Sequence, residues 1–358
     1  MMAAAPSESP PTRHPTYYIA DGNTVLQVES TLFKVHRSML VKDKSTFETM
    51  FSLEAYTQNT EAGASLSQTS EGESDENPIL LQGDKADEFS ALMWSLYSLP
   101  YEIAIAMNGQ ANDIQLIRLA RISHKYQFRS TESWALAALT TFYNSASTGT
   151  LVQNLVEVTE LSVFCDCKTL LDAAVVKWKR LIMEGRAVAV AIGVAERLNL
   201  RALFGLAYYS MMLKGREVWD SDPQLNARQR VRLLSGHYNL IRLCEGLPTS
   251  APRLIHDHSC VRKGKCKNAF AALWKIILTS KEGGLAGQVL KVQSADLLAK
   301  VMLAESIVRA FSEGTIPAID LYESGEMHEK CLQNAVHATQ EKVKEVQENL
   351  ADWFSDVV

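Results

Sequence analysis

YYIADGNTVLQVESTLFKVHRSMLVKDKSTFETMF, residues 17 to 51, changes its hydrophobic period part-way along. Tyr17-Tyr18-Ile19, Thr24-Val25-Leu26-Gln27-Val28 and Thr31-Leu32-Phe33-Lys34-Val35 are short β-prone runs separated by Asp21-Gly22-Asn23 and Glu29-Ser30, which predicts three strands with tight turns and a hairpin. From Arg37 to Leu53 the apolar residues Met39, Leu40, Phe47, Met50 and Phe51 fall on or near one helical face, and Asp43 to Ser45 reads as a break between two short helices. Strands first and helices afterwards indicate an α+β domain.

On the N-terminal side, residues 1–16 are rich in Pro, Ser and Ala and read as disordered. On the other side, residues 56–77 form a polar insert with Glu61, Glu71, Glu73, Asp75 and Glu76 and no Lys or Arg, the composition of a solvated loop. Pro78-Ile79-Leu80-Leu81 resumes as a buried strand. Asp84 is placed to cap a helix carrying Phe89, Leu92, Met93 and Leu96, which Pro100 stops. Further helices are expected from Asn112, with Ile114, Ile117, Ala120, Arg121 and His124, and from Thr131, with Trp134, Ala138 and Leu139. This closes a domain over 17–142. The rest of the chain shows helical spacing only, in segments 149–162, 168–183, 187–198, 201–213, 225–244, 268–280, 294–313 and 328–355. The expected organisation is a helical domain over 143–245, an irregular basic loop with a His/Cys cluster over 246–267, and C-terminal helices over 268–358.

Asp21, Val25-Leu26-Gln27-Val28, Phe33-Lys34-Val35-His36-Arg37, Leu40, Phe47 and Met50-Phe51 together resemble the opening of a BTB/POZ domain. Asn77-Pro78-Ile79-Leu80-Leu81, Phe89, Leu92, Leu96-Tyr97, Leu116-Ile117-Arg118-Leu119-Ala120 and Lys125-Tyr126-Gln127-Phe128 are similar to the later strand and closing helices of that family. The acidic Ser-Asp-Glu-Asn-Pro-Ile run and Met93-Trp94-Ser95-Leu96-Tyr97 resemble the BTB proteins expanded in mushroom-forming fungi. The resemblance covers about a third of the chain. It implies a small mixed sheet with flanking helices, followed here by an all-α C-terminal domain, and a protein that binds other proteins. Asp21, His36, Arg37, Phe51, Leu53 and Glu54 are the surface candidates it suggests. His36, at the junction of strand and helix, also suits capping of backbone groups. Two departures matter. Pro10, Pro11 and Pro15 stand where strand-swapped dimers of the family carry a helix, and proline inside a helix costs about 3 kcal/mol. Phe51-Ser52-Leu53-Glu54 also matches the apolar-x-Glu motif of cullin adaptors incompletely.

Composition narrows the function further. The 358 residues carry 36 Lys+Arg against 41 Asp+Glu, a formal charge of -5, which argues against binding nucleic acid mainly through phosphates. Residues 1–15 lack the apolar core of a signal peptide, and the densest apolar stretch, Ala187 to Ala195, is too short to span a bilayer, so cytoplasm or nucleus is expected. The 6 cysteines are too sparse for a disulfide scaffold. No phosphate-binding glycine loop, nucleophile elbow or zinc-protease helix motif occurs, and no enzymatic activity is expected.

One run carries metal-binding chemistry. His256-Asp257-His258-Ser259-Cys260-Val261-Arg262-Lys263-Gly264-Lys265-Cys266 offers His256, His258, Cys260 and Cys266 as soft or borderline ligands, with Arg262, Lys263, Lys265 and Lys267 nearby to favour thiolates. Zinc is the only cofactor suggested, and a positively charged loop is the alternative. Cys165-Asp166-Cys167 is a weaker pair. Residues 226–267 hold nine Lys or Arg against Glu245 and Asp257, a local balance of +7, and read as a solvated helix face or a nucleic-acid contact. Leu332, Val336, Thr339, Val343, Val346, Leu350 and Trp353 follow a 4-3 spacing that suits either pairing of two copies or docking of a terminal helix on its own domain. The function expected from all this is a non-catalytic interaction or scaffold protein, with a substrate adaptor of a cullin-type ubiquitin ligase and a transcription or chromatin regulator as alternatives. Partners would be other proteins, a cullin or a second copy, and not a membrane.

Overall fold

Val25, Leu26 and Val28 pack with Leu32, Phe33 and Val35, all nearly inaccessible to solvent, and they do so through a hairpin. In the computed structural model, which describes residues 10–60, 71–105, 112–145, 151–279, 288–315 and 327–355, β2 (Thr24–Val28) and β3 (Thr31–Val35) pair antiparallel with Leu26 opposite Phe33. The hairpin lies inside a four-stranded mixed sheet of order β1-β3-β2-β4, so both of its edges have a neighbouring strand. One edge is β1 (Thr12–Tyr18), parallel to β3, and the other is β4 (Ile79–Leu80), parallel to β2.

Order therefore begins before Tyr17, correcting the disordered reading of residues 12–16. Proline is tolerated on an edge strand, where one row of backbone groups needs no ladder partner. Around Pro15 the β1–β3 register shifts, and His14 fills the gap. Its Nδ1 accepts from the amides of Thr16 (3.1 Å) and Tyr17 (2.9 Å), its Nε2 faces Ser90 Oγ at 3.0 Å, and its ring stacks on Phe33.

After the sheet come α1 (Arg37–Leu40) and α2 (Thr46–Thr60), split where expected by a 3-10 turn in which Asp43 (φ 63°) and Lys44 (φ 54°) are left-handed. Helix α2 continues through Thr60, so the polar insert starts as helix. Residues 61–70 of that insert lie outside the described residues. Its far end is tied to the sheet: Val25 donates to Gly72 O (2.7 Å), and Asp75 accepts from Tyr18 (2.6 Å) and Arg13 (2.9 Å).

Helices α3 (Ala86–Tyr97), α4 (Pro100–Ile105), α5 (Asp113–Tyr126), α6 (Arg129–Asn144) and α7 (Val152–Phe164) follow. Asp84 does not cap α3, whose N-cap is Lys85. It is buried, and its carboxylate accepts from the Tyr126 hydroxyl and Lys125 ammonium at the end of α5. Pro100 starts α4 rather than ending α3, as suits a residue with no amide proton to donate.

The chain divides into two compact units, Met1–Lys177 and Trp178–Val358, with the division inside α8 (Lys168–Met183). The second unit is helical among its described residues: α9 (Val188–Arg197), α10 (Arg201–Leu213), α11 (Arg216–Ser221), α12 (Ala227–Gly246), α13 (Lys263–Thr279), α14 (Leu297–Ser312) and α15 (Glu329–Glu348). Helix α15 docks on α14 and buries Cys331, Ala335, Thr339 and Val346; of the 4-3 seam, Thr339, Val346 and Leu350 are buried, and Leu332, Val336, Val343 and Trp353 are half-buried. After it, a 3-10 turn over Asp352–Phe354 inserts Phe354 between α10 and α12. Two glycines make room. A Cβ on Gly236 would stand 2.2 Å from the Phe354 ring, and one on Gly205 would stand 2.5 Å from the Ala351 amide nitrogen.

Candidate functional site

Four side chains distant in sequence converge in the second unit. His256 and Cys260 lie on the irregular segment after α12, Cys266 is in the first turn of α13, and Cys331 is in the first turn of α15. One ligand atom from each lies within 4.8 Å of all the others. Cys260 Sγ is 3.6 Å from Cys266 Sγ, and Cys331 Sγ is 3.7 Å from His256 Nδ1. All three cysteines are buried, with Leu254 and Met327 packed against them.

This corrects the ligand set read from the sequence. His258 points away: its side chain is 89% exposed, with Nδ1 3.4 Å from the Asp257 carboxylate. The chain turns at His258 and Ser259, so His258 leaves the direction in which His256 faces. Cys331 takes the fourth place, 65 residues beyond Cys266, a separation that local spacing does not reveal. The loop reading of 246–267 is corrected too. Lys263 to Lys267 are helical, which fixes Cys266 instead of leaving it on a mobile tether.

Polar groups surround the sulfurs. The His328 amide, at the N-cap of α15, donates to Cys266 Sγ at 3.4 Å. Helix N-termini also favour negative charge, and both Cys266 and Cys331 occupy such first turns. Burial works against ionising Cys260, but hydrogen bonds from Cys266 and Cys331 outweigh it and hold that thiol below its ordinary value. Burial, followed by the neighbouring thiols, pushes Cys331 up to about 11. Asn334 Nδ2 donates to Ile255 O at 2.8 Å and fixes the segment bearing His256 against α15.

Cys165 and Cys167 part company. Cys165 meets His124 and Glu132 in a half-buried group of three, in which His124 Nδ1 lies 2.7 Å from Glu132 Oε1. Burial first, and Glu132 second, push the Cys165 thiol up to about 12, which disfavours its thiolate.

Part of the basic stretch, on α12, is engaged within its own unit. Arg230 donates to the carbonyls of Trp219 (3.1 Å) and Asp222 (2.8 Å), Arg232 pairs with Glu196, and Arg242 donates to Tyr238 (3.2 Å). Glu196 also accepts from Tyr208 (2.8 Å) and Gln229 (2.7 Å), joining α9, α10 and α12.

The six surface candidates of the first unit separate as well. Asp21 is exposed, 3.5 Å from His36 Nε2. His36 makes no side-chain cap; its Nδ1 and its amide both meet the Tyr97 hydroxyl at 3.0 Å, correcting the capping role. Phe51 is not a surface residue. It is 4% exposed, and Arg37 covers it, with the guanidinium 3.9 Å above the ring and donating to Phe51 O at 2.9 Å. Leu53, two residues on, is 62% exposed. The Glu54 side chain lies outside the described residues. Among the described residues, no helix is long and apolar enough to cross a membrane. Comparison with protein-family models, curated proteins and solved structures gives no match.

Proposed function

We propose that the protein is a non-catalytic interaction protein of the BTB/POZ class that binds another protein through its N-terminal unit. The observation that carries this reading is Leu53, an exposed leucine on α2 beside a corner made rigid by the Arg37 contacts to Phe51. A large apolar side chain exposed on a helix gains free energy when a partner covers it, at about 25 cal/mol per Å² of apolar surface. The resemblance of residues 17–142 to BTB/POZ domains supports the same reading. Its narrower form, a cullin adaptor, is weakened by the incomplete apolar-x-Glu match, in which Glu54 follows Leu53 directly.

The test is affinity purification of the full chain from its native cells, comparing wild type with Leu53→Asp at matched circular dichroism. Loss of a defined partner with the variant is expected, and a cullin among the lost proteins selects the adaptor form. Recovery of the same proteins at the same yield overturns the assignment of this surface.

A further inference from the structure

We propose that the second unit holds one structural Zn²⁺, bound by His256 Nδ1 and the Sγ atoms of Cys260, Cys266 and Cys331. Zinc with Zn–S bonds of about 2.3 Å and Zn–N bonds of about 2.0 Å has tetrahedral edges of about 3.8 Å for S···S and about 3.5 Å for S···N. The observed 3.6 Å between Cys260 and Cys266 and 3.7 Å between Cys331 and His256 match those edges. The remaining pairs, all within 4.8 Å, close onto an ion with side-chain movements of about 1 Å.

The competing account is that three cysteines simply fill the core as small apolar residues. Two observations go against it. An imidazole nitrogen is aimed into the group, where an apolar cluster would exclude it. A backbone amide also donates to Cys266 Sγ, the outer-shell contact that steadies a coordinated thiolate. The donor set selects the metal: three thiolates and one imidazole are soft to borderline, which suits Zn²⁺ and disfavours Mg²⁺ or Ca²⁺. Four protein ligands leave no open position, so the role is structural rather than catalytic.

Binding releases the three thiol protons and leaves the centre with a net charge of -1, which the first turns of α13 and α15 offset. The ion would join segments as far apart as His256 and Cys331. It would fix the irregular chain after α12 against α15, forming one wall of a groove of about 940 Å³ lined by Pro252, Arg253, Ile255, His337 and Glu341.

The test is metal analysis of the full chain, expressed with zinc, purified with a phosphine reductant and desalted. One equivalent of zinc is expected. Exchange for Co²⁺ should give thiolate-to-cobalt charge transfer together with the d–d bands of a tetrahedral site. Cys331→Ser should lose the metal and His258→Ala should retain it. Zinc below a tenth of an equivalent after loading overturns the proposal, as does a Cys260–Cys266 disulfide found in a second, reductant-free preparation by peptide mapping of the denatured protein. Retention of full zinc by Cys331→Ser overturns the ligand set. Wild-type stoichiometry and the cobalt spectrum decide the matter even if a variant fails to fold.

Discussion

Phe33 and Phe354 are both wholly buried aromatic side chains, yet they reach that state by different routes. Phe33 sits opposite Leu26 in a hairpin, stacks on His14 and meets the Phe89 ring edge-on, so it is enclosed by its own sheet and the helix that follows. Phe354 comes from the end of the chain and fills a notch cut by Gly236 in α12, more than a hundred residues earlier. The first unit is thus built on a local hairpin, to which contacts such as His14–Ser90 (76 residues apart) and Asp84–Tyr126 (42 apart) are added. The second is closed by distant pieces: Phe354, the Arg201–Asp352 pair, and the convergence of Cys331 with His256, Cys260 and Cys266. Local contacts form at little loop-closure cost, whereas distant ones need an anchor that outweighs it.

The largest effect that would sharpen this contrast comes from the anchor itself. Removing zinc with a strong chelator should lower the melting of the second unit by about 10 °C, because the binding free energy of a structural metal is folding free energy. Hydrogen exchange read separately on the two units would check it, and equal deprotection of β2–β3 would break the contrast. Next is Phe354→Ala, expected to cost about 3–5 kcal/mol in denaturant melts. Gly236→Ala should cost about 1–3 kcal/mol in the wild type and much less when Phe354 is already Ala, since the two changes act on one contact. Additive losses would refute the notch.

In the first unit, Asp84→Ala should cost about 2 kcal/mol by stranding the Tyr126 hydroxyl, while the half-exposed Lys125 adds little. Asp21→Ala, at an exposed turn, should stay within about 0.5 kcal/mol. The smallest effect is a pH dependence at β1. Burial holds His14 below its ordinary value of 6.5, so the unfolded chain binds the proton more tightly than the folded one. His14 therefore supports β1 fully above about pH 6.5, and that support is lost as the pH falls through the depressed value. Exchange of the Thr16 and Tyr17 amides, corrected for intrinsic rates, should quicken between pH 7.5 and 5.5; unchanged protection would discard the role of His14.

Much of the fold is legible in the chain because periodicity is local. Phe33, Val35, Leu40, Phe47 and Phe51 are all buried as their spacing predicts, and α8 and α10 span the expected residues. The misreadings occur where a tertiary partner decides. Asp84 resembles a cap until Tyr126 and Lys125 reach it, and His36 suits capping of backbone groups until the Tyr97 hydroxyl engages its ring. The short α11 is not legible in the sequence because its six residues span less than two turns, too few to establish a period.

The candidate metal centre divides the same way. Sequence alone determined that His256, Cys260 and Cys266 lie close together with ligand chemistry, because neighbours on the chain must be neighbours in space. Only the tertiary structure decided that His258 turns outward and that Cys331 completes the set. The reason is geometric: one ion accepts ligands by direction as well as by type. Those directions are set by how the irregular segment after α12 lies against the first turns of α13 and α15, a relation that no run of consecutive residues contains.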